Sequence, residues 1–493
     1  EAVLGVSYTK MVKKNYVTFN GGYNVSSTDL RSHGYSVLGF PADELNDPGF
    51  GLDYHPEKKP TGNSELSRMA GFFGNLNYTY DNRYFADFSV RADASSRFGA
   101  DKRWAVFWSA GVGYNLHNEV FLKKLEWVSL LRLRASYGVT GGQNFNPYQA
   151  MTTYRFITDK WYGYGSGAEM LALGNDDLKW QSTVQKNFGL DLGMWKDRLT
   201  LTFNYYHKLS ENSLTDVTLP PSLGFPSYKE NLGEVVNEGW EFTLRGFVVK
   251  KEDFNIMLSV NGAQNNNKLK KISNSLKAFN EEQDKQVENK VMARYVEGQS
   301  LNTIWVVRSL GIDPANGKEL FLDKNGKRTY DWNADDYVAE ATTDPRLYGN
   351  LGLGIFYRGF SLNTYVNYSL GEKAYNQTLV DRVENADKHY NCDRRVLYDR
   401  WHKPGDETFF KDVKDASVTR PTSRFVQKNN YLNMTSLNVA YEFNPRLLEP
   451  LRIKYLKLAF YMTDLFRIST MKAERGLDYP FARTFTTSLQ IRF

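Results

Sequence analysis

Hydrophobic and polar residues alternate along much of this chain with a period of two. In Arg83-Tyr-Phe-Ala-Asp-Phe-Ser-Val-Arg-Ala-Asp93, one face carries Tyr84, Ala86, Phe88, Val90 and Ala92. The other carries Phe85, Asp87, Ser89, Arg91 and Asp93. A polar turn over 95–103 leads to a second run, with Trp104, Val106, Trp108, Ala110, Val112, Tyr114 and Leu116 on the apolar side. Leu131, Leu133, Ala135 and Tyr137 then stand opposite Arg132, Arg134 and Ser136. Period two over about ten residues describes a β-strand whose faces meet different surroundings. Arginine and aspartate at every second position are costly in a dry core unless each is paired, whereas a water-filled lumen accepts them. From this stretch alone, a soluble β-sandwich with one wet face is the competing reading.

The same pattern predicts about fifteen strands. Before the opening stretch come 2–9, 15–25 and 69–80. After it come runs near 184–194, 199–206, 236–244, 254–260, 351–357, 360–368, 430–443, 454–466 and 482–493. Short links are expected at 10–14, 81–82, 117–127, 196–197, 248–253, 358–359 and 444–453, with longer ones between them. Long loops are expected near 26–67, 143–182, 210–232, 266–346, 372–428 and 467–481. Two short strands, 304–312 and 320–323, are predicted inside the longest. Transmembrane barrels sort their connections in this way, into short periplasmic turns and long outer loops. A soluble sandwich has no such reason, so the pattern favours an all-β, antiparallel transmembrane β-barrel. The loops 143–182, 266–346 and 372–428 are then expected on one side of the membrane, facing any partner subunit.

Composition agrees with this and narrows it. Aromatics make up 15% of the 493 residues, with 32 Tyr and 31 Phe, which suits strands and membrane-interface belts. No stretch approaches the roughly 18 consecutive apolar residues of a spanning helix. That excludes a helical membrane protein and leaves a barrel open. The net charge of +6 is spread over interleaved signs, without the basic stripe that nucleic-acid binding requires. Cys392 is the only cysteine, so no disulfide framework or cysteine metal site is expected.

The chain shows no catalytic constellation and is read as a non-enzyme, with no cofactor expected. Its six histidines lack metal-ligand spacing. Gly311 to Lys318 has a superficial likeness to a phosphate loop, but its spacing is one residue too long and Asn316-Gly317 reads as a turn. Asp335-Asp336 could hold calcium; a solvated acidic loop is the simpler reading. Loop aromatics are the chemical feature that remains. Trp161, Tyr162 and Tyr164, then Tyr330, Trp332 and Tyr337, fall in predicted outer loops, where sugar rings could stack on them. Packing of loop on loop, or contact with a partner, is the alternative for each.

Several motifs resemble the SusC/RagA type of TonB-dependent outer-membrane transporter. They are Ser95-Ser-Arg-Phe-Gly99 with Arg103-Trp104; Leu131-Arg-Leu-Arg-Ala-Ser-Tyr-Gly-Val-Thr-Gly141; and Leu178-Lys-Trp-Gln181. Asn231-Leu-Gly-Glu-Val-Val-Asn-Glu-Gly-Trp-Glu241, Gly311-Ile-Asp-Pro-Ala-Asn-Gly317, Arg420-Pro-Thr-Ser-Arg-Phe-Val426 and Leu489-Gln-Ile-Arg-Phe493 follow in the family's order. Trp108 departs from it, standing where a proline is expected, which should alter local strand geometry only. The resemblance implies a barrel of roughly 22 strands around a plug. It also implies active, TonB-energised import of oligosaccharides or peptides across the outer membrane, with a SusD-like surface lipoprotein as lid. The rival from another class is a passive porin or structural barrel. Phe493 resembles the terminal aromatic signal read by the barrel-insertion machinery.

Fifteen is an odd number, whereas bacterial single-chain barrels have even numbers of strands. Open edges cannot face hydrocarbon. The chain is therefore expected to be the C-terminal part of a larger barrel, its N-terminal domain, plug and remaining strands lying on another segment or chain. The first and last strands should each offer a free edge.

Overall fold

Each alternating segment forms a strand, and each strand pairs with the next in sequence. A computed structural model describes residues 1–493 apart from 144, 164, 213, 219–226, 232, 273, 286–288, 388 and 473–481. Fifteen strands follow one another through a single antiparallel sheet. The first six are β1 Ala2–Val12, β2 Asn15–Gly34, β3 Thr61–Tyr80, β4 Tyr84–Ser95, β5 Trp104–Asn115 and β6 Val128–Gly142. Next come β7 Gln181–Met194, β8 Leu199–Glu211, β9 Glu234–Lys250, β10 Phe254–Lys271 and β11 Leu347–Tyr357. The last four are β12 Phe360–Leu370, β13 Tyr431–Glu442, β14 Tyr455–Thr463 and β15 Phe485–Arg492. A short extra strand, Arg467–Ser469, lies beside the start of β13. Among the described residues β1 pairs only with β2 and β15 only with β14.

Strand register separates the two faces. Leu192, Leu201, Leu244 and Val260 are cross-strand partners in turn, and so are Asp191, Thr202, Thr243 and Asn261. The first row belongs to an outer face whose aromatic and aliphatic side chains remain open, as at Phe72, Leu76, Phe88, Val112, Phe188 and Leu489. The second belongs to an inner face of amides, hydroxyls and charges. Tyr368 is the exception on the outer face, with 9% exposure. Its hydroxyl donates to the Asn261 carbonyl at 2.8 Å, across the bare backbone of Gly262 and Gly349. A side chain at Gly349 would collide with that carbonyl.

Several loop boundaries differ from the sequence expectation. β2 and β3 run together to Gly34 and back from Thr61, well beyond their membrane neighbours, because their backbone ladder continues through Ser26–Ser67 as a two-stranded ribbon. β10 likewise continues to Lys271, and a helix, Asn274–Lys285, follows where no element was expected. The sorting of connections by length is also not strict. The 96–103 link on the long-loop side is shorter than the 116–127 link on the other, so strand direction, not length, defines the two rims.

On the long-loop side, two insertions fold against each other. Thr303–Ile312, Glu319–Leu322, Arg328–Thr329 and Tyr337–Thr342 form a small four-stranded sheet. Its first strand alternates poorly, with Ile304, Trp305, Val306 and Val307 all buried, because the second insertion covers its other face. That insertion has its own core of Val380, Val383, Val396, Phe410 and Phe425. The Val307 amide hydrogen-bonds to the Pro421 carbonyl, joining the two.

Candidate functional site

The inner wall carries a continuous polar ladder. Arg134 on β6 donates to Asp191 on β7 from Nε at 2.9 Å and Nη2 at 3.1 Å. The same Nη2 reaches Asn204 Oδ1 on β8 at 3.1 Å, and Asn204 donates on to Glu241 on β9 at 3.2 Å. Further along the wall Asn265 and Asn267 both donate to Asn237, and Asn350 donates to Asn367. Strand pairing causes this arrangement. It places alternate residues of neighbouring strands side by side, about 5 Å apart, so a polar face becomes a row of partners. The wall between β8 and β13 is hollowed by about 510 Å³ around Asn204, Glu241, Asn261, Asn350, Asn367 and Tyr431. Asn261 Oδ1 has no hydrogen-bond partner there. Such a surface exchanges hydrogen bonds with a polar solute or with polar protein filling the lumen.

At the long-loop rim, the motifs of the sequence reading converge into packed clusters. Phe98 lies between Trp180, with ring centroids 4.5 Å apart, and Phe145 at 5.0 Å. Leu178 is fully buried beside them, and Trp180 Nε1 donates to the Arg103 carbonyl at 2.9 Å. Arg97 ties the link to the next loop by donating to the Phe145 carbonyl at 2.8 Å. Two distant stretches, 95–104 and 178–181, therefore form one clamp. The Gly311–Gly317 stretch is a tight turn: Gly317 has φ +70° and lies against the Trp401 ring, whose Nε1 donates to the Pro314 carbonyl at 3.0 Å. It holds no phosphate-loop geometry.

The Arg420–Val426 stretch centres the outer-loop module. Arg424 donates to Glu319 from Nε at 3.0 Å and Nη2 at 2.7 Å, and to Glu384 at 2.7 Å. Side-chain exposures of 4%, 10% and 0% place this triad in the dry interior of the module. Burial alone would lower the Arg424 pKa, but the two carboxylates outweigh it and hold the guanidinium above its ordinary value. Arg400 beside it is capped by the carbonyls of Val396, Lys411, Val383 and Glu384. The spacing in sequence gave no sign that Glu319 and Glu384 meet one arginine.

The loop aromatics are distributed differently. Trp161 and Tyr162 end the strand Thr153–Tyr162, which pairs with Gly165–Ala172; their side chains and all of Tyr164 lie outside the described residues. Trp332 is engaged within the module: Nε1 donates to the Pro421 carbonyl at 3.1 Å, Arg420 covers its ring at 4.9 Å, and Tyr337 meets it edge-on at 5.6 Å. Tyr330 is exposed and donates to Asp313, whose pKa is lowered by that bond and by the Ala315 amide. Asp336 accepts from the Lys324 amide at 2.8 Å, and Asn333 Oδ1 accepts from the Asp335 amide at 3.0 Å. Trp108 lies within β5, edge-on to Tyr137 at 5.5 Å, without disturbing the ladder. Phe493 follows β15, 75% exposed, continuing the outer row of Phe485, Leu489 and Ile491.

One pH effect follows from the module. Asp393 caps the short helix Arg394–Leu397 and accepts from the Arg395 guanidinium and amide, which pull its pKa from 3.8 to about 2. A carboxylate with a depressed folded-state pKa stabilises fully above its unfolded value and loses that contribution as pH falls through the folded one. Amide exchange around 393–398 is therefore expected to rise between pH about 4 and about 2. Asp393→Asn should remove that dependence, and an unchanged pH profile in the variant would disprove the role.

Comparison with known proteins agrees with this architecture. Residues 4–386 match the family described as TonB dependent receptor-like, beta-barrel. TonB-dependent receptor P39 of Formosa agariphila is 24% identical over 89% of this chain and 47% of its own length. TonB-dependent receptor SusC of Bacteroides thetaiotaomicron is 28% identical over 88% of this chain and 45% of its own. The chain thus spans about half the length of the curated relatives it matches. The solved RagAB peptide transporter superposes with a TM-score of 0.83 at 23% identity, covering 99% of this chain and 55% of that one. An open sheet with a wet inner and an apolar outer face, matched over most of its length, places the chain in the TonB-dependent receptor β-barrel family, as an outer-membrane barrel of the SusC/RagA type.

Proposed function

We propose that this chain forms part of an active importer that moves oligosaccharides across the outer membrane. The observation that carries the reading is the ladder of Arg134, Asp191, Asn204 and Glu241 with its flanking asparagines. Amides and hydroxyls in rows offer both donors and acceptors to a hydroxylated solute, at low net charge. Peptides are the second substrate class, since the structurally similar RagAB assembly is a peptide transporter. The free edges of β1 and β15 support a larger barrel, whose remaining strands and plug come from another segment. A SusD-like lipoprotein over the long-loop rim and energy from TonB complete the reading. The loops at that rim are extracellular in it, with loop aromatics such as Tyr330 available to ligand or partner.

Uptake by cells carrying the full-length protein, with labelled oligosaccharides and labelled peptides in parallel, tests this. Saturable uptake of one class that is lost without TonB is expected. Uptake that survives loss of TonB and of the proton-motive force would overturn it in favour of a passive pore.

A further inference from the structure

We propose that the hollow in the inner wall selects a sugar carrying a free amine, with Glu241 receiving the ammonium group. This rests on the reading of the chain as part of an oligosaccharide importer and adds a charge preference to it. Glu241 is the one charged side chain among the described residues that line this space of about 510 Å³, a size typical of small-molecule sites. Glu241 on β9, Ala263 on β10 and Tyr348 on β11 are cross-strand partners in turn. Neighbouring strands lie about 5 Å apart, so the carboxylate and the tyrosine ring spring from backbones roughly 10 Å apart. Only the Ala263 methyl group stands between them. Glu241 and Tyr348 are both exposed, Tyr348 at 41%. Asn261 lines the same hollow, and its amide oxygen has no partner among the described residues, so the amide is free to turn towards a ligand.

The wall leaves that carboxylate without a cation. Arg134 donates twice to Asp191 and once to Asn204, while Glu241 receives only the Asn204 amide, at 3.2 Å. This run of contacts holds two carboxylates and one guanidinium, a surplus of one negative charge. Lys208 stands over the Tyr206 ring at 4.7 Å and Arg467 over the Tyr431 ring at 4.2 Å, and among the described residues neither pairs with Glu241. Arg245 follows four residues later on β9, roughly 13 Å along the strand. A ligand that brings a positive donor therefore gains over a neutral one of the same shape, because hydrogen bonds between charged groups are about twice as strong as neutral ones. The ammonium meets Glu241 and Asn261. The sugar ring lies against Tyr348, and its hydroxyls reach Asn350 and Asn367, which are already bonded to each other.

Equilibrium binding to the purified full-length protein tests this, at pH about 6, where free amines are protonated and carboxylates ionised. The probes are a labelled glucosamine tetrasaccharide and its fully N-acetylated counterpart, which share one backbone and differ in charge. Binding of the free-amine form about ten-fold tighter is expected, the value of one charged hydrogen bond. Glu241→Gln should bring the two forms to parity, and Glu241→Asp should keep most of the preference. Asp87→Asn removes an inner-wall carboxylate on β4, five strands away, and should leave the preference intact. Heat-modifiable gel migration shows each variant folded. Equal binding of the two forms, or none of either, would overturn the proposal, as would a preference that survives Glu241→Gln or disappears in Asp87→Asn. Unchanged sugar binding with increased leakage of large antibiotics in Glu241→Gln would also overturn it, assigning the hollow to a basic side chain of the plug. TonB-dependent uptake is measured separately. Parity with that uptake intact rejects this site alone, and preference without it rejects the import reading alone.

Discussion

Replacing Arg424 with alanine should leave the barrel inserted and unfold the outer-loop module. Arg424 neutralises Glu319 from one insertion and Glu384 from the other, and all three side chains are nearly or wholly removed from water. Removing one partner of a buried ion pair strands the other charge, at a cost of about 3–5 kcal/mol. Here two carboxylates are stranded, and the Phe409 carbonyl loses its donor as well. The fully buried Phe425 loses the guanidinium lying 4.5 Å from its ring centroid. Among the described residues Glu384 Oε2 already has no hydrogen-bond partner, so without Arg424 the carboxylate keeps only the Thr419 hydroxyl as a side-chain partner. Hydrogen exchange should accelerate across Thr303–Ile312 and the 372–428 segment together, with β7 to β10 unchanged. Exchange confined to the mutated turn would show that the triad does not join the two insertions. Arg424→Lys is expected to fail nearly as badly, because one ammonium cannot reproduce the two-sided fork.

The second large effect separates the two faces of β8. Phe203→Arg should destabilise the barrel by about 2–4 kcal/mol, the cost of a cation near the bilayer midplane. Phe203 is the fifth residue of β8, paired with Leu190 and Phe242 on the outer row. Leu201 is the third, two residues closer to the short turn, so Leu201→Arg should cost less as the charge reaches the interface. Thr202→Arg, between them on the wet face, is expected to be nearly neutral. Equilibrium unfolding in bilayers measures all three, and equal costs at 202 and 203 would refute the assignment of faces.

Much of this was legible from single residues. Alternation located all fifteen strands, because a membrane barrel sets each side chain against either lipid or lumen, and period two records that choice directly. Arg132 and Arg134, alternating with Leu131 and Leu133, declared an inner face on their own. The strand ends were less legible. Ser26–Gly34 and Thr61–Arg68 have no lipid on either side, so they alternate weakly and read as loop, although their backbones pair in full. The Asn274–Lys285 helix, with few apolar residues, hid for the same reason.

The candidate site divides along the same line. Sequence alone identified the strand order, the two faces, and the motifs Phe98, Trp180, Gly317 and Arg424 as belonging together in one kind of protein. Tertiary structure alone decided what each motif does: Phe98 stacks on Trp180, Gly317 makes room for Trp401, and Arg424 joins Glu319 to Glu384. The physical reason is range. The choice between lipid and water acts on each residue separately and leaves a local period in the chain. A buried ion triad or an aromatic clamp depends on partners tens of residues away, and no local pattern records which partners those are.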